Sequence, residues 1–75
     1  MITITSFNYL SNGKEYSAKL ATAEQLANFL AADPKRGING NCKCGTEPQC
    51  FEGNVWRCEA SGQVGCFWYV TNELC

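Results

Sequence analysis

The sequence contains no histidine, and charged residues make up only 17% of its 75 residues. Without histidine the commonest general base is absent, and so are Ser–His and Cys–His nucleophile pairs. No G-x-G-x-x-G or P-loop pattern is present to bind phosphates. The acids Glu47, Glu52, Glu59 and Glu73 are scattered, as solvated surface groups are, and do not suggest the paired carboxylates of a glycosidase. The sequence therefore predicts a protein that is not an enzyme.

The chain also lacks a long apolar run and an excess of charge of either sign. Its apolar stretches fall far short of the roughly 18 residues that a membrane span needs. Six Lys and Arg residues stand against seven Asp and Glu residues, a net charge of −1. Nucleic-acid binding needs many cations to neutralise phosphates. We therefore expect neither a membrane nor a nucleic acid as partner.

The length of the chain predicts a single domain, 1–75, with a small core. A domain of this size buries only about 60% of the surface that its unfolded chain exposes. Small scaffolds usually gain further stability from disulfides, a metal or an oligomer interface, so a homo-oligomer is one alternative here. Apolar residues make up 45% of the sequence, which indicates a folded chain.

The first part of the chain, 1–36, predicts a β-hairpin followed by a helix. Asn12-Gly13 is a strong hairpin signal because a type I′ turn needs positive φ at both central positions. It separates two segments of alternating character, 2–10 and 15–20. A two-residue turn places three pairs on one face of the hairpin: Tyr9 with Tyr16, Phe7 with Ala18, and Thr5 with Leu20.

A capping box, T-x-x-Q, predicts that a helix begins after Thr22, with Gln25 as its third residue. The apolar residues that follow have helical spacing: Ala23, Leu26, Ala27 and Leu30, with Phe29 beside them. The helix ends before Pro34, because proline disfavours helical geometry in the residue that precedes it. Lys35 and Arg36 follow the predicted C-terminal end of the helix, whose partial negative charge favours cations. We expect the apolar stripe to pack on the aromatic face of the first hairpin.

The second part, 37–75, has a different character. A segment rich in glycine and asparagine, 37–54, predicts a loop, and a second hairpin follows it. Centring the turn of this hairpin on Gly62 places like residues opposite each other on one face: Cys58 with Cys66, and Trp56 with Trp68. The resulting order, ββα-loop-ββ, is that of an α+β domain.

All six cysteines lie in this second part, at positions 42, 44, 50, 58, 66 and 75. An even number at this density is typical of a small secreted domain with three disulfides, for which 15 pairings exist. The facing positions predict Cys58–Cys66 as one of the bridges. A structural zinc site is the other interpretation, because four thiolates bind zinc tetrahedrally. Its ligands would be Cys42, Cys44, Cys58 and Cys66.

The start of the chain, MITITSFNYL, bears on this choice. It has no basic region ahead of an apolar one and so does not resemble a signal peptide. The cytosol keeps thiols reduced. We therefore expect zinc in a cytoplasmic protein, with disulfides in a secreted protein as the alternative.

Five aromatic residues of the second part fall within 19 residues: Phe51, Trp56, Phe67, Trp68 and Tyr69. Alternation along strands places them on both faces of the hairpin, and a domain of this size has little material to cover both. Tryptophan and tyrosine are enriched at binding hot spots. These rings therefore predict a binding surface, and the alternative is a two-sided core.

By elimination we expect a small binding protein that acts by covering the surface of a protein partner. Accessory and inhibitor proteins of phages and mobile elements, such as anti-CRISPR proteins, are of this kind. The alternative is a secreted, disulfide-stabilised toxin, effector or lectin-like module. A third hypothesis, the precursor of a modified ribosomal peptide, fits less well, because its leader would not be a folded hairpin.

Overall fold

The computed structural model describes residues 4–36, 41–62 and 65–75, in which six strands form one antiparallel sheet. The strands are β1 (Ser6–Ser11), β2 (Lys14–Leu20), β3 (Asn41–Cys42), β4 (Gln49–Phe51), β5 (Asn54–Ala60) and β6 (Cys66–Leu74). Between β2 and β3 come the helix α1 (Ala23–Ala32) and a 3-10 turn (Pro34–Arg36). The domain is α+β, with strands predominating.

The first and second hairpins join into this one sheet. The strand order is β1-β2-β6-β5-β4, and β3 pairs with the beginning of β6, beyond the end of β2. The contact between β2 and β6 consists of three pairs: Ala18 with Thr71, Lys19 with Val70, and Leu20 with Tyr69. Local sequence patterns do not specify this pairing, because it joins residues about fifty positions apart.

The sheet has two faces, because side chains alternate along each strand. The helix face carries Trp56, Cys58, Cys66 and Trp68. The tyrosine face carries Phe7, Tyr9, Tyr16, Arg57, Glu59, Phe67, Tyr69 and Glu73.

The first hairpin has the register that its sequence predicts. Phe7 pairs with Ala18 and Tyr9 with Tyr16, and the N–H of Leu20 donates to the carbonyl of Thr5 at 2.8 Å. Asn12 and Gly13 have φ angles of 53° and 79°, as a type I′ turn requires. The turn chemistry therefore determines which residues face each other.

The second hairpin keeps the predicted face but not the predicted register. Cys58 pairs with Trp68, and Ala60 with Cys66, so the strands are displaced by two residues. The N–H of Ser61 donates to the carbonyl of Gly65, which places the centre of the turn beyond Gly62. A shift of two residues preserves alternation, so both cysteines and both tryptophans still share one face.

The segment 37–54 was predicted to be a loop; among its described residues, 41 onward, this is right for 43–48 and wrong where short strands form. Besides β3 it contains β4, which forms a further hairpin with β5. Phe51 pairs with Asn54 across a two-residue turn, in which Glu52 and Gly53 have φ angles of 55° and 82°. Glutamate at the first turn position is a weaker signal than asparagine, which tolerates left-handed geometry better. Residues 37–40 lie outside the described residues.

The start of α1 confirms the predicted capping box. The N–H of Gln25 donates to the hydroxyl of Thr22 at 3.2 Å, and the side-chain oxygen of Gln25 accepts from the N–H of Thr22 at 3.0 Å. The helix ends at Ala32, shortly before Pro34, as its sequence indicates.

The helix packs on the helix face of the sheet, so the docking predicted on the aromatic face of the first hairpin is wrong. Phe29 is fully buried. Its ring stacks on Trp56 with centroids 4.0 Å apart and an interplanar angle of 2°, and it meets Trp68 edge-on at 4.9 Å. Phe29, Trp56 and Trp68 are removed from water together, and buried apolar area sets the hydrophobic gain.

Arg36 completes the enclosure of Phe29. Its guanidinium carbon lies 3.9 Å from the centroid of the Phe29 ring. Because Trp56 stacks equally close to that ring, the two groups occupy opposite sides of it. Arg36 also donates to the carbonyl of Phe29 at 2.7 Å and to the side chain of Gln49 at 2.8 Å. The cation expected near the helix end therefore binds a helix carbonyl and holds the ring.

Replacing Thr22 with alanine should destabilise the protein by about 1 kcal/mol, because an N–H of the first helical turn loses its partner. The measurement is the midpoint of urea unfolding under non-reducing conditions. Thr22→Ser keeps the hydroxyl and serves as the control, with a midpoint close to that of the parent. An unchanged midpoint in the alanine variant would show that the cap contributes nothing.

Candidate functional site

All six cysteines are oxidised to disulfides: Cys42–Cys58, Cys44–Cys66 and Cys50–Cys75. The predicted zinc site is therefore wrong, because its four sulfurs are bonded to each other in two bridges and no thiolate remains to bind a metal. The predicted Cys58–Cys66 bridge is wrong as well. The pairing of β3 with β6 brings Cys42 and Cys44 to these two positions, and each hairpin cysteine bonds to one of them. Elsewhere in the described residues no group of side chains could hold a metal ion.

The bridges attach the cysteine-rich segment and the end of the chain to the sheet. Cys58 and Cys66 are 6% and 5% exposed and belong to the core around Trp56 and Trp68. The bridges close sequence separations of 16, 22 and 25 residues. In the chain-entropy description each contributes roughly 3 kcal/mol. The sulfurs are therefore structural.

The oxidation state of the sulfurs also bears on where the protein is found. Three disulfides in a small domain are typical of secreted proteins and other proteins of oxidising compartments. They give no support to the expectation of a cytoplasmic protein. Within the described part of the chain, no helix combines the length and the apolar character that crossing a bilayer requires.

The five aromatic residues that were predicted to be partly a binding surface, on both faces of the hairpin, differ in burial in the structure. Trp56 and Trp68 are each 3% exposed and Tyr69 is fully buried, so these three are core residues. Phe51 is half-buried on the helix face, where it meets Phe29 edge-on at 5.4 Å. Phe67 is half-buried on the tyrosine face. For these two half-buried rings a binding role remains a prediction.

The tyrosine face gathers most of the aromatic rings that remain partly exposed. Phe7, Tyr9 and Tyr16 are all half-buried. The ring of Tyr9 lies 5.7 Å from that of Tyr16 and 6.1 Å from that of Phe7. Phe7 in turn meets the buried ring of Tyr69 edge-on at 5.0 Å. The sequence correctly predicts that these rings share one face. It also predicts, wrongly, that the helix packs on that face. Because α1 packs on the other face, it does not cover these three rings.

Tyr9 is the centre of a polar network on this face. Its hydroxyl donates to a carboxylate oxygen of Glu73 at 2.7 Å. The guanidinium of Arg57 lies 4.6 Å from the centroid of the Tyr9 ring and donates to Glu59 at 2.9 Å. A cation over an aromatic ring contributes about 0.5–2 kcal/mol, depending on how far it is desolvated. Aromatic, cationic and anionic groups are therefore held together in one arrangement.

The contact between Arg57 and Tyr9 extends across two strands of the tyrosine face. Tyr9 is on β1 and Arg57 is on β5, with β2 and β6 between them. Neighbouring strands lie about 4.8 Å apart, so the two backbones would be roughly 14 Å apart in a flat sheet. The contact therefore requires that both long side chains lie along the face and reach towards each other. The two side chains thus connect β1 with β5 across this face.

The pKa of the Tyr9 hydroxyl lies above its ordinary value, and burial is the largest cause. The hydrogen bond and the charge of Glu73 also raise it, whereas the hydrogen bond with Thr71 and the charge of Arg57 lower it. Tyr9 therefore remains a neutral hydrogen-bond donor throughout the physiological pH range.

A separate groove of about 410 Å³ lies beside the start of α1. Its polar lining consists of Ser17, Lys19, Thr22, Gln25, Asn54, Thr71 and Asn72, and its apolar lining of Leu20 and Val70. It forms where β2 and β6 cease to pair, since the side chain of Asn72 accepts from the N–H of Ser17 at 3.0 Å in place of a backbone carbonyl. The polar lining includes three amides and one lysine.

Comparison with models of protein families, with curated proteins and with solved structures finds no match for this chain.

The disulfides predict how the protein responds to reductant and to chelator. The intact mass of the native protein should be six hydrogens below that of the reduced chain, because all six cysteines are bridged. Dithiothreitol should lower the melting temperature strongly, since each bridge contributes roughly 3 kcal/mol. EDTA alone should leave it unchanged. Unfolding by EDTA in the absence of reductant would contradict the disulfide assignment.

The raised pKa of Tyr9 predicts a loss of stability in alkali. The folded protein holds the Tyr9 proton more tightly than the unfolded chain, so this stabilisation is complete below pH of about 10, the ordinary tyrosine value. It is lost as pH rises through the higher pKa of the folded state. Urea unfolding at increasing pH should show a shallower decline for Tyr9→Phe than for the parent protein. Glu73→Gln should be intermediate, because it removes one of the groups that raise the pKa. Parallel curves for all three proteins would contradict the assignment.

Proposed function

We propose that this chain is a secreted, disulfide-stabilised binding module without catalytic activity, and that it recognises a protein partner through the tyrosine face. The observation that carries the proposal is the placement of Arg57 over Tyr9 on a sheet face that α1 leaves uncovered. Tyrosine and arginine are the residues, together with tryptophan, that most often dominate binding energy at protein interfaces.

The fixed geometry of this face favours tight recognition. Binding costs about 0.5–1.5 kcal/mol for each flexible side chain that becomes ordered. Here Arg57 is already held by Glu59, and Tyr9 is already held by Glu73. The side chains that a partner contacts are thus ordered before binding, and that part of the cost is avoided.

The mechanism is occlusion of the partner, as expected from the sequence. The tyrosine face covers part of the partner's surface, and the bridged segment keeps the sheet rigid while it does so. The oxidised sulfurs favour a partner that is extracellular or displayed on a cell surface. They favour a toxin, effector or inhibitor acting there over a phage protein acting in the cytosol.

A carbohydrate ligand is less well supported than a protein. The groove beside α1 has amides that could hydrogen-bond sugar hydroxyls, but no aromatic ring is among its described lining residues. A sugar ring would have no flat apolar surface to lie on there. The rings of the tyrosine face are packed against each other at centroid distances of 5.0–6.1 Å, and this mixed aromatic and charged surface resembles a protein interface more closely.

Photo-cross-linking from two positions tests the proposal. A photoreactive phenylalanine analogue replaces Tyr16 on the tyrosine face in one protein and Asn28, on the exposed side of α1, in the other. Both are incubated with a displayed library of extracellular and cell-surface proteins and with a glycan array. We expect a specific protein adduct from position 16 and none from position 28. Equal adducts from both positions, or binding to glycans alone, would overturn the proposal.

Affinity measurements on the captured partner sharpen the test. Arg57→Ala should weaken binding by 2 kcal/mol or more, roughly 30-fold, if it is a hot spot. Asn28→Ala and Glu24→Ala alter exposed helix residues and should leave the affinity within about twofold, as substitutions outside an interface do. Melting temperatures of all variants separate loss of binding from loss of folding. A partner that binds Arg57→Ala as tightly as the parent protein would show that this face is not the site.

A further inference from the structure

The outer edge of β1 has unpaired backbone groups. β1 ends the strand order, and among the described strands only β2 pairs with it. The N–H of Leu20 donates to the carbonyl of Thr5, and the residues next to the two-residue turn form a hydrogen-bonded pair. The odd-numbered residues of β1 therefore bond to β2. The backbone groups of Ser6, Asn8 and Leu10 point outward, away from the sheet.

The sequence of this edge contains none of the usual protections. Natural edge strands carry lysine, proline or a bulge that discourages pairing with another chain. The register of β1 with β2 is continuous from Ser6 to Ser11 and has no bulge. The first charged residue of the whole chain is Lys14, and no proline precedes it. Leu10 is 75% exposed at the end of the strand.

The opposite edge of the sheet differs in each of these respects. β4 has only three residues and directly follows Pro48. Its central residue, Cys50, is bridged to Cys75. One edge of the sheet is thus short and blocked, whereas the other is long, regular and uncharged.

We propose that β1 pairs with β1 of a second copy of this chain, antiparallel, about a twofold axis at Asn8. In this register Asn8 faces the partner's Asn8, and Ser6 faces the partner's Leu10. These are the three residues whose backbone groups point outward, so every outward N–H and C=O between Ser6 and Leu10 finds a partner. The two sheets become one continuous sheet.

The absence of charge favours a second copy over a foreign strand. A twofold axis places like residues opposite each other, and like charges in such positions destabilise strand pairing. β1 has none, so self-pairing carries no such cost. The same absence gives a charged foreign peptide nothing complementary to recognise.

Pairing through this edge places both tyrosine faces on the same side of the joint sheet. Residues that face each other across a strand pair point to the same side. Phe7 lies opposite the partner's Tyr9, and the row of aromatic rings runs across the axis. This inference goes beyond the proposed function and does not depend on it, although a dimer would present two binding faces at once and raise avidity.

Sedimentation equilibrium tests for the dimer, with the expected mass near twice 8.3 kDa as the concentration rises to millimolar. Asn8→Lys and Asn8→Glu should each be monomeric, because like charges meet at the axis. An equimolar mixture of the two should form dimers again, because opposite charges then meet. Asn28→Lys, on the exposed side of α1, is the control for an added charge and should remain dimeric.

Amide exchange on the unaltered protein gives a second readout that needs no variant. The N–H groups of Ser6, Asn8 and Leu10 should become protected as the concentration rises, whereas those of Phe7 and Tyr9, which bond to β2, should be protected throughout. A parent protein that stays monomeric at millimolar concentration overturns the proposal. So does a dimer that survives Asn8→Lys, or one in which the three outward amides exchange freely.

Discussion

The enclosure of Phe29 is the contact on which the arrangement of the domain depends. One helical side chain touches three strands of the sheet, through Phe51 on β4, Trp56 on β5 and Trp68 on β6. Arg36 closes the remaining side of the ring. Burying a phenylalanine contributes about 1.5–3 kcal/mol, and here the same ring also fixes where the helix, the 3-10 turn and β4 lie. The choice of face for α1 leaves the tyrosine face open.

The core on the helix face is small, and the bridges add to it directly. Cys58 and Cys66 are packed among the same rings that surround Phe29, so the sulfurs supply buried apolar surface as well as cross-links. This matters because the core also carries a cost. The buried indole N–H of Trp68 has no hydrogen-bond partner among the described residues, and a donor left in that state costs about 1–3 kcal/mol. A domain of this size tolerates such a defect because covalent bonds restrict its unfolded state.

Features determined by neighbouring residues were predictable from the sequence, and features determined by distant ones were not. Asn12-Gly13 sets the register of the first hairpin, and Thr22 with Gln25 sets the start of the helix. Alternation placed Cys58 and Cys66 on one face even though the turn was misplaced by two residues. The disulfide partners of these cysteines depend on the pairing of β3 with β6, and no local sequence pattern predicts that pairing. The stripe around Phe29 fits either aromatic face of the sheet, so its docking, and with it the location of the candidate site, required the tertiary structure.

The order of the disulfides has a consequence for how the chain responds to cleavage. The first cysteine bonds to the fourth, the second to the fifth and the third to the sixth. Every peptide bond between Cys42 and Cys75 is therefore spanned by at least one bridge, and a single cut there leaves the pieces covalently joined. The 41 residues before Cys42 contain no cysteine and are held to the rest only by packing and hydrogen bonds. A protease that cuts once can detach the first hairpin and α1, with three of the eight residues of the tyrosine face, but cannot detach anything from the bridged part.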